Sequence, residues 1–200
     1  MPHPTRRRIR LLVPFAALLL SACGVNSVPT AEETAKARWA DVQNEYQRRA
    51  DLIPNMVATV KGYATQEKDV LTQVTQARAN ATAINVRTDD PESLKRFGAA
   101  QGELSAALGR LMSVTENYPD LKSNANFLAL QATLEGTENQ IRIARRDYNE
   151  AVQAYNTRIR TFPDAIGAKI FYGAKPMTPF EATTPGAQTA PTIDFSPKPA

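Results

Sequence analysis

The sequence predicts an all-α protein: an antiparallel up-and-down bundle of three or four long helices, a short C-terminal helix and a disordered tail. Apolar residues recur at spacings of three and four from Trp39 to Tyr155, the period of an amphipathic helix. No segment alternates with the two-residue period of a half-buried strand. Prolines fall where helices start or stop, at Asp90-Pro91, Tyr118-Pro119 and Pro163.

Taken from the N-terminus, Arg6, Arg7, Arg8 and Arg10 precede an apolar run from Leu11 to Leu20 and then Leu20-Ser21-Ala22-Cys23. A basic start, a short apolar stretch and small residues before a cut form the layout of a secretory signal. The cysteine makes it resemble the lipobox of bacterial lipoproteins. There the thiol carries a diacylglyceryl group, the chain is cut before the cysteine, and the new amine is often acylated. A membrane span needs about 20 apolar residues; Leu11 to Cys23 offers fewer and contains Pro14. Two or three acyl chains, at about 0.8 kcal/mol per buried CH₂, anchor stably where a single chain binds marginally. Gly24, not aspartate, follows the cysteine, so the outer membrane is the expected destination in a cell with two membranes. The alternative is an N-terminal transmembrane anchor in the inner membrane. Residues 1–22 are thus expected to be a signal peptide, 23–30 a lipid-anchored tether, 31–173 the bundle and 174–200 a Pro-rich disordered tail.

Removing the signal changes the charge balance. The whole chain has 24 Lys+Arg and 20 Asp+Glu, and four of those arginines but no acid lie in residues 1–22, leaving 20 against 20. A neutral mature chain lacks the basic footprint of a nucleic-acid binder, and no nucleic-acid partner is expected. The sole histidine, His3, lies in the signal, and the sole cysteine is the lipidation candidate. Ser-His and Cys-His nucleophilic sites, imidazole or thiolate zinc sites and disulfides are thereby excluded from the mature part. No cofactor or resident metal is expected.

The first stripe runs Trp39, Val42, Tyr46, Arg49, Ile53, Met56, Val60, Tyr63, Glu67, Val70, Val74, Ala77, Ala81, Ile84, with Arg49 and Glu67 its two charged members. Pro54 removes a hydrogen bond and clashes with the Ala50 carbonyl, so it must kink or break the helix. The stripe keeps its phase across Pro54 without a Gly/Asn turn cluster, which favours a kink; a break would make four helices of three. Val86 to Asp90 is a loop, and Asp90-Pro91-Glu92 starts the next helix, with Asp90 as cap and Pro91 at the first helical position. Its stripe is Leu94, Phe97, Gln101, Leu104, Leu108, Leu111, Thr115, Tyr118, and Gly98, Gly102 and Gly109 inside it suggest close approach of a neighbour. The last long helix, capped by Ser123 or a neighbouring asparagine, carries Phe127, Leu134, Ile141, Tyr148 and Tyr155 at seven-residue intervals. Pro163 stops it, and a short turn around Ile166, Ile170 and Phe171 follows. Six of the 14 prolines fall between Pro176 and Pro199, which predicts the tail.

Three segments resemble the LemA family. They are Tyr46-Gln47-Arg48-Arg49-Ala50-Asp51-Leu52-Ile53-Pro54-Asn55-Met56-Val57 with Lys61-Gly62-Tyr63; Leu134-Glu135-Gly136-Thr137-Glu138-Asn139 through Ala144-Arg145-Arg146-Asp147-Tyr148-Asn149 to Tyr155-Asn156 and Phe162-Pro163; and Gly173-Ala174-Lys175-Pro176 with Phe180-Glu181-Ala182. The resemblance covers about residues 32–182. It implies a membrane-attached helical bundle displayed outside the cytoplasm, of no established biochemical role and with no catalytic residues to carry over. Such proteins commonly begin with a transmembrane helix, whereas this chain has Cys23 in a lipobox. Attachment survives that change; the choice of leaflet is what it puts in question.

The remaining candidates are polar. Asp51 and Asn55 flank Pro54, where Asn55, Arg49 and water are expected to satisfy the freed backbone; the alternative is a recognition notch facing the Glu138-Asn139 segment. A guanidinium on the apolar stripe needs a carboxylate, so Arg49 should pair with Glu138 or Glu135 on the last helix. Glu138, Arg142, Arg145 and Asn149 share a face, either a solvated stripe with a Glu138–Arg142 pair or a protein-binding surface. The favoured function is a non-catalytic scaffold that binds another envelope protein through its outer face or its tail. A lipid- or peptide-binding module with its ligand between helices near Gly98 and Gly102 is the alternative. An enzyme using carboxylates and bound metal ranks last.

Overall fold

A computed structural model describes residues 26–181. The signal, Cys23 and residues 182–200 of the expected tail lie outside the described residues. Within them the chain is all-α, in six helices: α1 Ser27–Tyr63, α2 Lys68–Thr82, α3 Pro91–Thr115, α4 Pro119–Lys122, α5 Ala125–Arg158 and α6 Asp164–Gly167. A π-helical turn, Ala168–Tyr172, follows α6.

The long helices run up, down, up, down. Antiparallel pairing of α1 with α5 is fixed by contacts along their whole length, from Trp39 against Tyr148, through Arg49 with Glu138, to Tyr63 with Asn124. The shorter α2 and α3 form a hairpin laid against one half of that pair. Two apolar clusters result. One holds Trp39, Val42, Tyr46, Phe97, Tyr148, Val152 and Tyr155; the other holds Ile53, Met56, Val60, Leu71, Val74, Leu104, Leu111 and Phe127. Arg49 lies in sequence between them, at the joint.

Local chemistry explains the ends. Asp90 accepts a hydrogen bond from the Glu92 N–H at 3.0 Å with Pro91 at the start of α3. Asn124 caps α5, accepting from the Phe127 N–H at 3.0 Å, while its Nδ2 donates to the Tyr63 hydroxyl at 2.8 Å. One side chain therefore starts α5 and ties it to the end of α1.

Three expectations about boundaries change. α1 continues through Pro54, as the favoured reading has it, but does not run on to Ile84. The break comes at residues 64–67, between α1 and α2. Val60, Glu67, Val74 and Ala81 keep a seven-residue spacing straight across this turn, so periodicity cannot see it. Glu67 is free of the core there, accepting from the Tyr118 hydroxyl at 2.9 Å across the α2–α3 end.

Residues 27–30, expected to belong to the tether, are helical instead, because α1 already begins at Ser27. Val28 is buried beside Tyr155 and Ala168, and that burial holds the first turn. Pro29 falls where a helix has no N–H to satisfy.

Residues 174–181, expected to belong to the disordered tail, are ordered instead. Residues 173–181 form an extended strap laid along α5, with Met177 and Phe180 buried. Two large apolar side chains supply the driving force that the Pro-rich composition conceals.

Candidate functional site

The carbonyl that Pro54 deprives of its helical partner is that of Ala50. Neither Asn55 nor Arg49 satisfies it. Arg78 of α2 does, its Nε donating to the Ala50 oxygen at 2.7 Å. A long-range cation closes the gap that local residues were expected to close. Arg78→Ala should therefore destabilise the fold by about 1.5–3 kcal/mol, the range for a hydrogen bond involving a charged group. In a Pro54→Ala background the loss should shrink, since residue 54 regains an N–H for the same oxygen. Thermal unfolding of the four proteins measures this, and equal losses in both backgrounds would contradict it.

Arg49 is fully buried. Its guanidinium donates to Glu138 at 2.6 Å and to the Ser105 hydroxyl at 2.9 Å, and also to the Gln101 side-chain oxygen. Gln101 in turn reaches the Ala81 carbonyl at 3.4 Å. The node thus joins α1, α3 and α5 and touches the end of α2. The guanidinium also lies 5.1 Å from the Tyr46 ring centroid. Its Nε has no hydrogen-bond partner among the described residues. Of the two glutamates expected as partners, Glu138 is the one that pairs. Glu135 accepts from Gln131 at 3.1 Å instead. Gln101 and Ser105 are members that no local pattern announced; a glutamine on the apolar stripe of α3 was their only sign.

A cleft of about 430 Å³ opens beside this node, lined by Tyr46, Arg49, Gly98, Gly102, Glu138 and Arg145 among others. Gly98 and Gly102 thus border a cleft, and a Cβ on Gly109 would meet nothing within 4 Å, so close helix approach does not explain the glycine at 109.

The remaining candidates separate. Asp51 is exposed and accepts from Gln47 at 2.8 Å. Asn55 is exposed and lines a groove with Asn126, Leu130 and Thr133, so it faces a segment of α5 N-terminal to Glu138-Asn139, not that segment itself. Arg142 donates to Asn139 one turn back, and no Glu138–Arg142 ion pair forms, because Glu138 is committed to Arg49.

Arg145 and Asn149, on α5, bind the strap. Asn149 donates to the Phe180 carbonyl at 2.9 Å and accepts from its N–H at 2.7 Å. Seven residues on, Asn156 repeats the pattern with Met177, at 2.8 and 2.9 Å. Each side-chain amide donates one N–H and accepts at its oxygen, and so pairs with one backbone unit as a neighbouring strand would. Tyr148 and Tyr155 donate to the Thr178 and Lys175 carbonyls at 2.9 and 3.1 Å. Arg145 closes the row. It donates to the Glu181 carbonyl at 2.9 Å, and its guanidinium carbon lies 4.1 Å from the Phe180 ring centroid.

Burial pushes the Tyr148 hydroxyl up to about 12, and burial also raises Tyr155 and Tyr46. A phenol whose folded pKa exceeds its unfolded value favours folding fully below the unfolded pKa, near 10. That contribution is lost as pH rises toward about 12. Denaturant midpoints should therefore fall above pH ~10, and fall less steeply in Tyr148→Phe. Identical slopes for the two proteins would refute the assignment.

Among the described residues no helix is long and apolar enough to cross a membrane, and no group of three or more His, Cys, Asp or Glu could hold a metal ion. A profile of the LemA family matches residues 38–195. The chain is 27% identical over 171 residues to Magnetosome protein MamQ 2 of Paramagnetospirillum magneticum, covering 76% of this chain and 62% of that protein. It is 31% identical over 118 residues to Protein LemA of Metamycoplasma hominis, covering 59% and 51%. With Magnetosome protein MamQ of Magnetospirillum gryphiswaldense it shares 25% over 171 residues, 76% of this chain and 62% of the other. The chain thus spans between half and two thirds of the length of these relatives.

Proposed function

The chain belongs to the LemA family, and on that premise we propose that it is a membrane-anchored, non-catalytic scaffold of the cell envelope that holds another envelope protein. Cys23 attaches it through lipid, and the outer membrane is its place in a cell with two membranes. One observation carries the scaffold reading: the signature's polar residues hold the architecture. Arg49 and Glu138 join helices; Tyr148, Asn149, Tyr155 and Asn156 hold the strap. What remains for a partner is exposed surface, including Asp51, Asn55, Asn139 and Arg142. In-cell crosslinking from these four positions tests it. Recovery of a discrete envelope protein, lost when the four are replaced together, supports the scaffold; the same background from wild type and variant overturns it.

A second reading has one observation in its favour. The cleft beside Gly98 and Gly102 is lined by Arg49, whose Nε has no partner among the described residues, and by Arg145. An envelope lipid or peptide with a hydrogen-bond acceptor would suit that lining. Copurification of such a ligand, abolished by filling the cleft with Gly102→Leu, would favour it over the scaffold.

A further inference from the structure

Large apolar side chains that stay exposed are not scattered over this bundle. Phe162 is 83% exposed, Ile166 52%, and Ile170 and Phe171 69% each, all within one short segment. Among the described residues, the exposed large hydrophobics elsewhere are Tyr63 and Leu128, which lie toward the opposite end. The segment follows α5 and turns across the end of the bundle where α1 begins. There α6 packs on α1, and Ala168 shares a buried cluster with Val28 and Tyr155. Isolated exposed apolar residues are ordinary, whereas a concentrated group marks a surface that something covers.

We infer that this end of the bundle docks into the bilayer interface, with Phe162, Ile166, Ile170 and Phe171 entering the headgroup region. The inference rests on the N-terminal membrane attachment proposed above. Only Gly24, Val25 and Asn26 separate Cys23 from the first residue of α1. The four Cα–Cα steps from Cys23 to Ser27 reach at most about 14 Å, so a lipid on Cys23 holds this end, and no other, against the headgroups. A transmembrane anchor in the same position imposes the same geometry. The opposite end of α1 lies about 55 Å away, at 1.5 Å per residue.

Charge agrees with the occupant. Arg160 and Lys169 are exposed on the same segment, and its carboxylate, Asp164, lies 3.9 Å from Arg158. The surplus is cationic, which suits anionic headgroups around an apolar wedge. The mature chain is neutral as a whole, so the remainder carries a small net negative charge and supplies no competing attraction. A lipid tether and this wedge together would set the bundle upright, with Leu128 and Tyr63 far from the membrane.

Tryptophan quenching in vesicles tests the inference with the full chain. Trp39 is the only native tryptophan and is buried, so it gives a constant background. Ile170→Trp, Phe171→Trp and, as the distal control, Leu128→Trp are reconstituted in phosphatidylcholine–phosphatidylglycerol vesicles with plain or brominated acyl chains. The added emission at 170 and 171 should be largely lost in brominated vesicles and that at 128 retained. Equal retention at all three positions in vesicles that float with the protein overturns the docking and leaves the attachment intact. Failure of the wild-type chain to float overturns the attachment, and the docking with it.

Discussion

Glu138→Ala should destabilise the bundle by about 3 kcal/mol, the low end of the range for stripping one partner from a buried ion pair. The Arg49 side chain is 2% exposed and that of Glu138 43%. Removing the carboxylate leaves a guanidinium that cannot shed its charge, held among α1, α3 and α5. Water reaching the vacated side keeps the loss at the low end. The sharper prediction is an asymmetry. Arg49→Met combined with Glu138→Ala should be more stable than Glu138→Ala alone, because an apolar side chain then fills the joint without an unpaired charge. Gln101 and Ser105 keep other partners, since Gln101 donates to the Ala81 carbonyl and Ser105 to the Gln101 carbonyl. Urea unfolding followed by far-ultraviolet circular dichroism measures the three proteins. A double variant no more stable than the single one would show that the buried charge is not what makes the loss.

Phe180→Ala carries the other large effect, about 3–5 kcal/mol for deleting a buried aromatic ring. The ring lies 6.4 Å from both Trp39 and Tyr46, 6.3 Å from Phe97 and beneath Arg145. The α2–α3 hairpin covers only part of the α1–α5 pair, and the strap closes over Trp39 beside Phe97 of α3. Losing its main anchor should expose Trp39 and shift its emission to longer wavelength before the rest of the bundle unfolds. A change within about 0.5 kcal/mol, as at ordinary surface sites, with unshifted emission would mean that the strap does not seal this cluster.

How much of this was legible in the sequence depends on the range of each interaction. The helical stripes were, because burial imposes a period on the chain itself. The cap Asp90 was, and the cap of α5 was narrowed to Ser123 or a neighbouring asparagine, because a cap acts within three residues. The pairing of Arg49 with the last helix followed from a charge set in an apolar stripe, which demands a counterion. The turn at residues 64–67 was hidden because a heptad phase passes through it undisturbed. Arg78 was hidden because the carbonyl it satisfies is 28 residues away. The strap was hidden because an extended segment has no period to detect, and its prolines argue against packing. Its signal lay elsewhere, in Asn149 and Asn156 seven residues apart beside two tyrosines. Their side chains copy a strand's hydrogen bonds, and that pattern is legible only once the partner strand is known.

We propose that a lipidated Cys23 holds the bundle at a bilayer. Growth with a clickable palmitate analogue, followed by in-gel detection of the full chain and of Cys23→Ser, tests it most directly. Label is expected on the wild-type protein and none on the variant, with the wild-type protein resisting extraction by concentrated salt. A wild-type band without label, released by that salt, would contradict it.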